Sequence, residues 1–200
     1  MTTSPRRFLV LAYRMPAKPT AGRVAVWRNL KKIGAVYLQD SVCVVPDTAA
    51  LRRELAPALE RIDVAGGRYH LLPLRQPSPE EERKLVELFV AQSSQHYREI
   101  IENCEVDFAK EIEFEHFRRN YTYEEAEEIR MEFEKICTWF DRVVERDWFE
   151  APNREEARVL LARCESMLEG FEAKVFEVNS SATDDAPAAL RAIEGGSSHG

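Results

Sequence analysis

Arg14, Arg23, Arg28, Lys31 and Lys32 are the side chains whose type and spacing point most directly to chemistry. Arg28, Lys31 and Lys32 stand at i, i+3 and i+4, so on a helix they share one face. Arg23 lies toward the start of that helix, and Arg14 at the end of the strand before it. No Asp or Glu occurs between Gly22 and Gln39. A solvated helix face usually mixes charges of both signs. An unmixed one is the pattern of an anion site, for the phosphates of DNA or for a small oxyanion. The spacing alone does not choose between these.

Other candidate chemistries are weaker. A metal-dependent nuclease of this size needs a carboxylate near the end of its first strand. The stretch "AYRMP" puts Tyr13 and Arg14 there, and a guanidinium does not ligate a divalent cation. Nuclease activity is therefore a remote reading, with Asp40 the other carboxylate placed in the sheet region. Glu113-x-x-His116 has the spacing of a di-iron bundle, but such sites need two of these motifs and two further carboxylates. His70, His96, His116 and His199 accompany no nucleophile elbow, phosphate loop or dinucleotide fingerprint. Cys43, Cys104, Cys137 and Cys164 are spaced too widely for a zinc site or a disulfide framework and read as free thiols. No catalytic residue, metal ligand or cofactor is assigned, and the chain is not read as an enzyme.

The basic residues need a scaffold, and the apolar pattern supplies one. Phe8–Tyr13 is short, apolar and bounded by "RMPAKPTAG", the signature of a buried strand. A helix begins near Thr20 or Ala21, with Trp27, Leu30 and Ile33 on its apolar stripe, and Gly34 stops it. "AVYLQ" and "VCVVP" flank Asp40-Ser41 as a hairpin. Asp47 or Thr48 caps a second helix with Leu51, Leu55, Leu59 and Ile62 inward, and Pro57 is expected to kink or split it. "RYHLLPL" is a fourth strand. The order is that of an α+β, ferredoxin-like βαββαβ domain over residues 1–78.

Residues 79–178 read as an acidic three-helix region packed on that domain. Ser78 with Glu81, and Thr122 with Glu125, are capping boxes, and Asn153 with Glu156 opens the last helix. "EIEFEHF" alternates like a strand but is assigned to helix from its flanks. Residues 179–200 are small, polar and Gly-Ser rich, and read as a disordered tail. Charge follows the same division: residues 1–78 carry a net +8 and residues 79–200 a net −15, giving −7 overall. No apolar run is long enough for a membrane span or a signal-peptide core, which places the protein in the cytoplasm.

Taken together, the motifs resemble the N-terminal domain of ChrB-type chromate-resistance proteins. The likeness rests on R-x-x-x-W-R-x-L-K-x-x-G-A and then L-x-D-S-V and a proline. Arg23, Trp27, Arg28, Leu30, Lys31, Gly34, Ala35, Leu38, Asp40, Ser41, Val42 and Pro46 carry it here. "RDWF", Arg146 to Phe149, closes the late helix, and the resemblance spans about residues 7–178. It implies a regulator or sensor of chromate resistance that binds DNA or chromate through the basic helix. It also implies likeness to the sheet domain of PaaX-type repressors, and hence a homodimer. Trp27, Gly34, Asp40, Arg146 and Asp147 enter as motif residues with a structural role. The alternative is a non-catalytic assembly module that pairs with itself or with a partner protein.

Overall fold

The computed structural model describes residues 7–18 and 20–184. Its strands and helices follow the chain as β1 (Phe8–Arg14), α1 (Thr20–Lys32), β2 (Val36–Gln39), β3 (Val42–Pro46), α2 (Ala49–Val64) and β4 (Arg68–Leu74). Then come α3 (Pro79–Glu102), a π-helical segment (Asn103–Phe108), α4 (Ala109–Arg118), α5 (Tyr123–Glu145) and α6 (Arg154–Asp184). Two compact units result. Among the described residues, the first takes in those up to Arg98 together with Asp141–Arg154, and the second takes in Glu99–Phe140 together with 155–184.

The first unit holds one antiparallel sheet in the order β2-β3-β1-β4. Alternation along the strands divides its side chains between two faces. Leu9, Leu11, Cys43 and Val45 pack with Val26 and Leu30 of α1 and with Leu51, Leu55, Ala58 and Ile62 of α2. On the other face Phe8, Val36 and Val44 meet Leu85 and Phe89 of α3, with Phe149 packed against them. The Phe8 and Phe89 rings lie 6.2 Å apart, and Phe89 and Phe149 5.3 Å apart. Each such ring removed from water contributes about 1.5–3 kcal/mol. Residues 79–98 and 141–154, assigned from sequence to the acidic helical region, thus form part of the sheet unit.

Several local expectations hold. The Thr48 side chain accepts from Leu51 N (3.1 Å), Ser78 from Glu81 N (3.2 Å) and Thr122 from Glu125 N (3.2 Å). The Asp40-Ser41 turn joins β2 to β3, with Ser41 at φ 62°. "EIEFEHF" is helical within α4. Others are corrected. Pro57 neither splits nor ends α2, which runs unbroken from Ala49 to Val64. The proline sits on the exposed side, where water can satisfy the carbonyl its missing N–H leaves. α6 continues to Asp184, six residues into the segment read as a tail, and residues 185–200 lie outside those described.

In the second unit His116 is exposed and is engaged by neighbouring rings. Its ring stands edge-on to Phe171 and its Nδ1 lies 3.0 Å from Tyr121 Oη, while Glu113 is exposed. Glu115 is buried, and Asn120 Nδ2 donates to it (2.7 Å) and to Glu125 (2.9 Å). Among the described residues no three His, Cys, Asp or Glu side chains are grouped to hold a metal ion. No disulfide joins the four cysteines, and no described helix is long and apolar enough to cross a membrane. Cys43 is buried, which pushes its thiol up to about 12. It is expected to resist iodoacetamide until the sheet unit unfolds. Labelling of Cys43 at the rate of a free thiol in folded protein would refute this.

Candidate anion-binding cleft

One end of the sheet unit opens into a cleft of about 1220 Å³. Four segments build it. α1 contributes Thr20, Arg23, Val24, Trp27 and Lys31, the β2–β3 hairpin contributes Tyr37, Gln39, Asp40 and Ser41, and the end of β1 brings Tyr13 and Arg14. The return into β4 adds Arg68, which is the register partner of Arg14. Four cations thus face one carboxylate, Asp40. Opposite charge at a polyanion or oxyanion is favoured over such a surface, and low-dielectric walls strengthen it.

The helix geometry explains which basic residues reach the cleft. Arg23, Trp27 and Lys31 stand at i, i+4 and i+8 and form one row along α1. Arg28 is about 140° around the helix from Arg23 and Lys32 about 180° around, so both are exposed outside the lining. Of the five basic residues singled out from sequence, Arg14, Arg23 and Lys31 are brought together and Arg28 and Lys32 are not. Trp27 corrects the sequence reading, since it is 49% exposed and walls the cleft instead of joining the core. Val26, Leu30 and Ile33 carry the buried stripe.

Lys31 sits at the base of the row and is half-buried. Its Nζ donates to Gln92 Oε1 (3.0 Å) and lies 5.8 Å from the centroid of the Tyr37 ring. Burial first, and then the positive charge of Arg146, holds its pKa below the usual lysine value. Gln92 Nε2 in turn reaches the Gly34 carbonyl at 3.4 Å. Tyr13 and Tyr37 share a hydrogen bond of 3.1 Å between their hydroxyls. Burial raises the pKa of both, and the shared bond raises Tyr37 further.

The other motif residues are structural neighbours of this site. A Cβ on Gly34 would stand 2.9 Å from Arg146 Cβ and 3.1 Å from Trp148 Nε1. The "RDWF" segment therefore packs against the end of α1. Asp147 is buried, accepts from Tyr97 Oη (3.2 Å), and takes the Ala151 N–H on both oxygens. Arg146 makes no pair with Asp147 and instead donates to the Lys31 carbonyl at 3.5 Å. Sequence reasoning passed over Arg68, Tyr13 and Tyr37. The row at i, i+4 and i+8 was a usable signal for Trp27, whereas Arg68 depends on the β1–β4 register.

The raised tyrosines predict an alkaline weakness. In the unfolded chain tyrosine loses its proton near pH 10, while Tyr13, Tyr37 and Tyr97 hold theirs to higher pH when folded. Their contribution is complete below about pH 10 and declines as pH rises toward their folded values. Ultraviolet titration should show Tyr13, Tyr37 and Tyr97 ionising only as the protein unfolds. A single titration of all six near pH 10, with the fold intact, would contradict the burial argument.

Residues 23–182 match the family model described as Protein ChrB, N-terminal. No curated protein matches the chain.

Proposed function

Because this chain belongs to the ChrB N-terminal family, a family of chromate-resistance proteins, we propose that it is a non-catalytic regulator of chromate resistance whose cleft binds a tetrahedral oxyanion. One observation carries this reading: Arg14, Arg23, Lys31 and Arg68 line a cleft in which Asp40 is the one acidic lining residue among those described. Chromate, a tetrahedral dianion, has the charge for such a site. The sheet order β2-β3-β1-β4 supports a ferredoxin-like class for the unit that carries it. Equilibrium dialysis against chromate tests the site. Arg23→Ala with Arg68→Ala should weaken binding at least ~10-fold, since charge-assisted hydrogen bonds are the strong ones. Unchanged binding by that double variant rejects the cleft as the site.

DNA phosphate is a second reading, favoured by the exposure of Arg28 and Lys32 on α1 outside the cleft. Affinity for duplex DNA should then fall with salt, with a slope near −0.9 per phosphate contact. Changing Arg28, Lys31 and Lys32 together to Ala should flatten it. An identical slope in the triple variant would remove α1 from the DNA interface. A homodimer in the cytoplasm goes with either reading, as does an assembly role acting through self-association or a partner protein. Sedimentation of the chain over a concentration series distinguishes monomer from dimer.

No metal-dependent cleavage belongs to this proposal. The first strand ends in Tyr13-Arg14, and Asp40 stands alone among cations. DNA and RNA incubated with magnesium or manganese should stay intact. Cleavage that persists through purification and disappears in Asp40→Ala would overturn this.

A further inference from the structure

The cleft holds more space than a bare oxyanion fills. Its volume of about 1220 Å³ exceeds the ~300–1,000 Å³ usual for small-molecule sites. Its arginines gather at one end. A Cβ on Gly22, in the first turn of α1, would stand 3.6 Å from Met15 Cε and 3.8 Å from Ala65 Cβ, and one on Gly67 would stand 2.7 Å from the Arg14 carbonyl oxygen. The start of α1 therefore lies against the segments that carry Arg14 and Arg68, which are themselves register partners. Arg14, Arg23 and Arg68 are exposed, and among the described residues none of them forms an ion pair with a carboxylate. Thr20, the first residue of α1, is in the same lining, so the positive end of the helix adds to them.

Trp27 supplies a different chemistry one turn further along α1, about 6 Å of helix rise from Arg23. Its indole is 49% exposed, and no ring of the described residues stacks on it. Tyr13 and Tyr37, the other rings of the lining, are half-buried and bonded to each other. The lining therefore offers one open stacking platform. Lys31 stands a turn beyond Trp27 and is engaged by Gln92 and the Tyr37 ring, which leaves the arginines to take an anion. Asp40 repels a bare oxyanion, but its carboxylate can accept from the hydroxyls of a sugar or from an amino group.

We propose that the cleft takes a free mononucleotide, with its base stacked on Trp27 and its phosphate held by Arg14, Arg23 and Arg68. This rests on the reading that the cleft is the anion site: the phosphate takes the seat of the oxyanion, and Trp27 selects a phosphate that carries a base over the bare anion. Stacking on an aromatic side chain tolerates every base, so the choice of base falls to Gln39, Asp40 and Ser41 of the hairpin wall. A nucleic-acid strand would need several platforms in succession, and the lining has one.

Adenosine monophosphate is the probe, titrated calorimetrically into the full chain beside inorganic phosphate, adenosine and a decamer of oligoadenylate. The monophosphate should bind saturably, at least ~10-fold tighter than inorganic phosphate or adenosine. Trp27→Ala should weaken it at least ~10-fold and erase the preference over inorganic phosphate. Trp27→Phe keeps a ring and should keep that preference. Arg23→Ala with Arg68→Ala should weaken the monophosphate and chromate alike. Absence of saturable monophosphate binding by the parent overturns the proposal. So does unchanged affinity in Trp27→Ala, or a decamer that binds at least ~10-fold tighter than the monophosphate. Chromate binding without monophosphate binding overturns this inference alone. Monophosphate binding without chromate binding rejects chromate as the ligand and supports the nucleotide.

Discussion

Gly34→Ala is expected to lower stability by about 2–4 kcal/mol. Two costs add. Gly34 has φ +72°, and an L-residue pays ~1–2 kcal/mol in that region. The new Cβ would lie 2.9 Å from Arg146 Cβ and 3.3 Å from the Arg146 carbonyl oxygen. Overpacking of that kind costs ~1–3 kcal/mol. For a chain of this size the melting midpoint should fall by roughly 5–15 °C. Gly66 is the control. It has the same φ of +72°, but nothing lies within 4 Å of its Cβ position. Gly66→Ala should therefore show the backbone cost alone. Equal midpoints for the two variants would sink the claim that Arg146 crowds Gly34.

The second large effect is at Asp147, which is 8% exposed. Its carboxylate receives the Tyr97 hydroxyl at 3.2 Å and the Ala151 N–H at 3.0 and 3.1 Å. Hydrogen bonds to a charged group contribute ~1.5–3 kcal/mol each, and stranded partners add cost. Asp147→Ala should destabilise by about 2–4 kcal/mol in urea. Asp147→Asn retains an acceptor oxygen and should lose less than half as much. If both variants unfold at the parent's midpoint, the "RDWF" turn is not held by this carboxylate.

The succession of elements through Leu74 is legible in the sequence because each depends on neighbours within a few residues. A short, bounded apolar run marks β1, Asp40-Ser41 marks the hairpin, and Thr48, Ser78 and Thr122 each cap a helix as their side chains imply. The second face of the sheet is not legible. Phe8 meets Phe149 across more than a hundred residues, and no local period encodes that partnership. The boundary drawn at residue 78 fails for the same reason, since Leu85 and Phe89 belong to the sheet's core. At the cleft, three adjacent charges at i, i+3 and i+4 outweigh the row of Arg23, Trp27 and Lys31. An aromatic residue on a helix is readily placed in the core, yet here it forms a wall beside the cations. Arg68 escapes notice because its place beside Arg14 is set by strand pairing.

The discontinuity of the sheet unit sets a schedule for the growing chain. Its sheet is fully synthesised by Leu74, but Asp141–Arg154, which includes Phe149 and Asp147, also belongs to it. A ribosome adding about 5–20 residues each second needs roughly 4–16 seconds to cover that gap. Through that interval Phe149 is absent, so the cluster on the face bearing Phe8, Val36 and Val44 stays incomplete while the rest of the unit is ready to collapse. Native closure of this unit therefore waits on residues 141–154 and cannot be completed by any shorter nascent chain. A stalled or truncated chain that ends before Phe149 presents an apolar sheet surface of the kind that holdase chaperones bind.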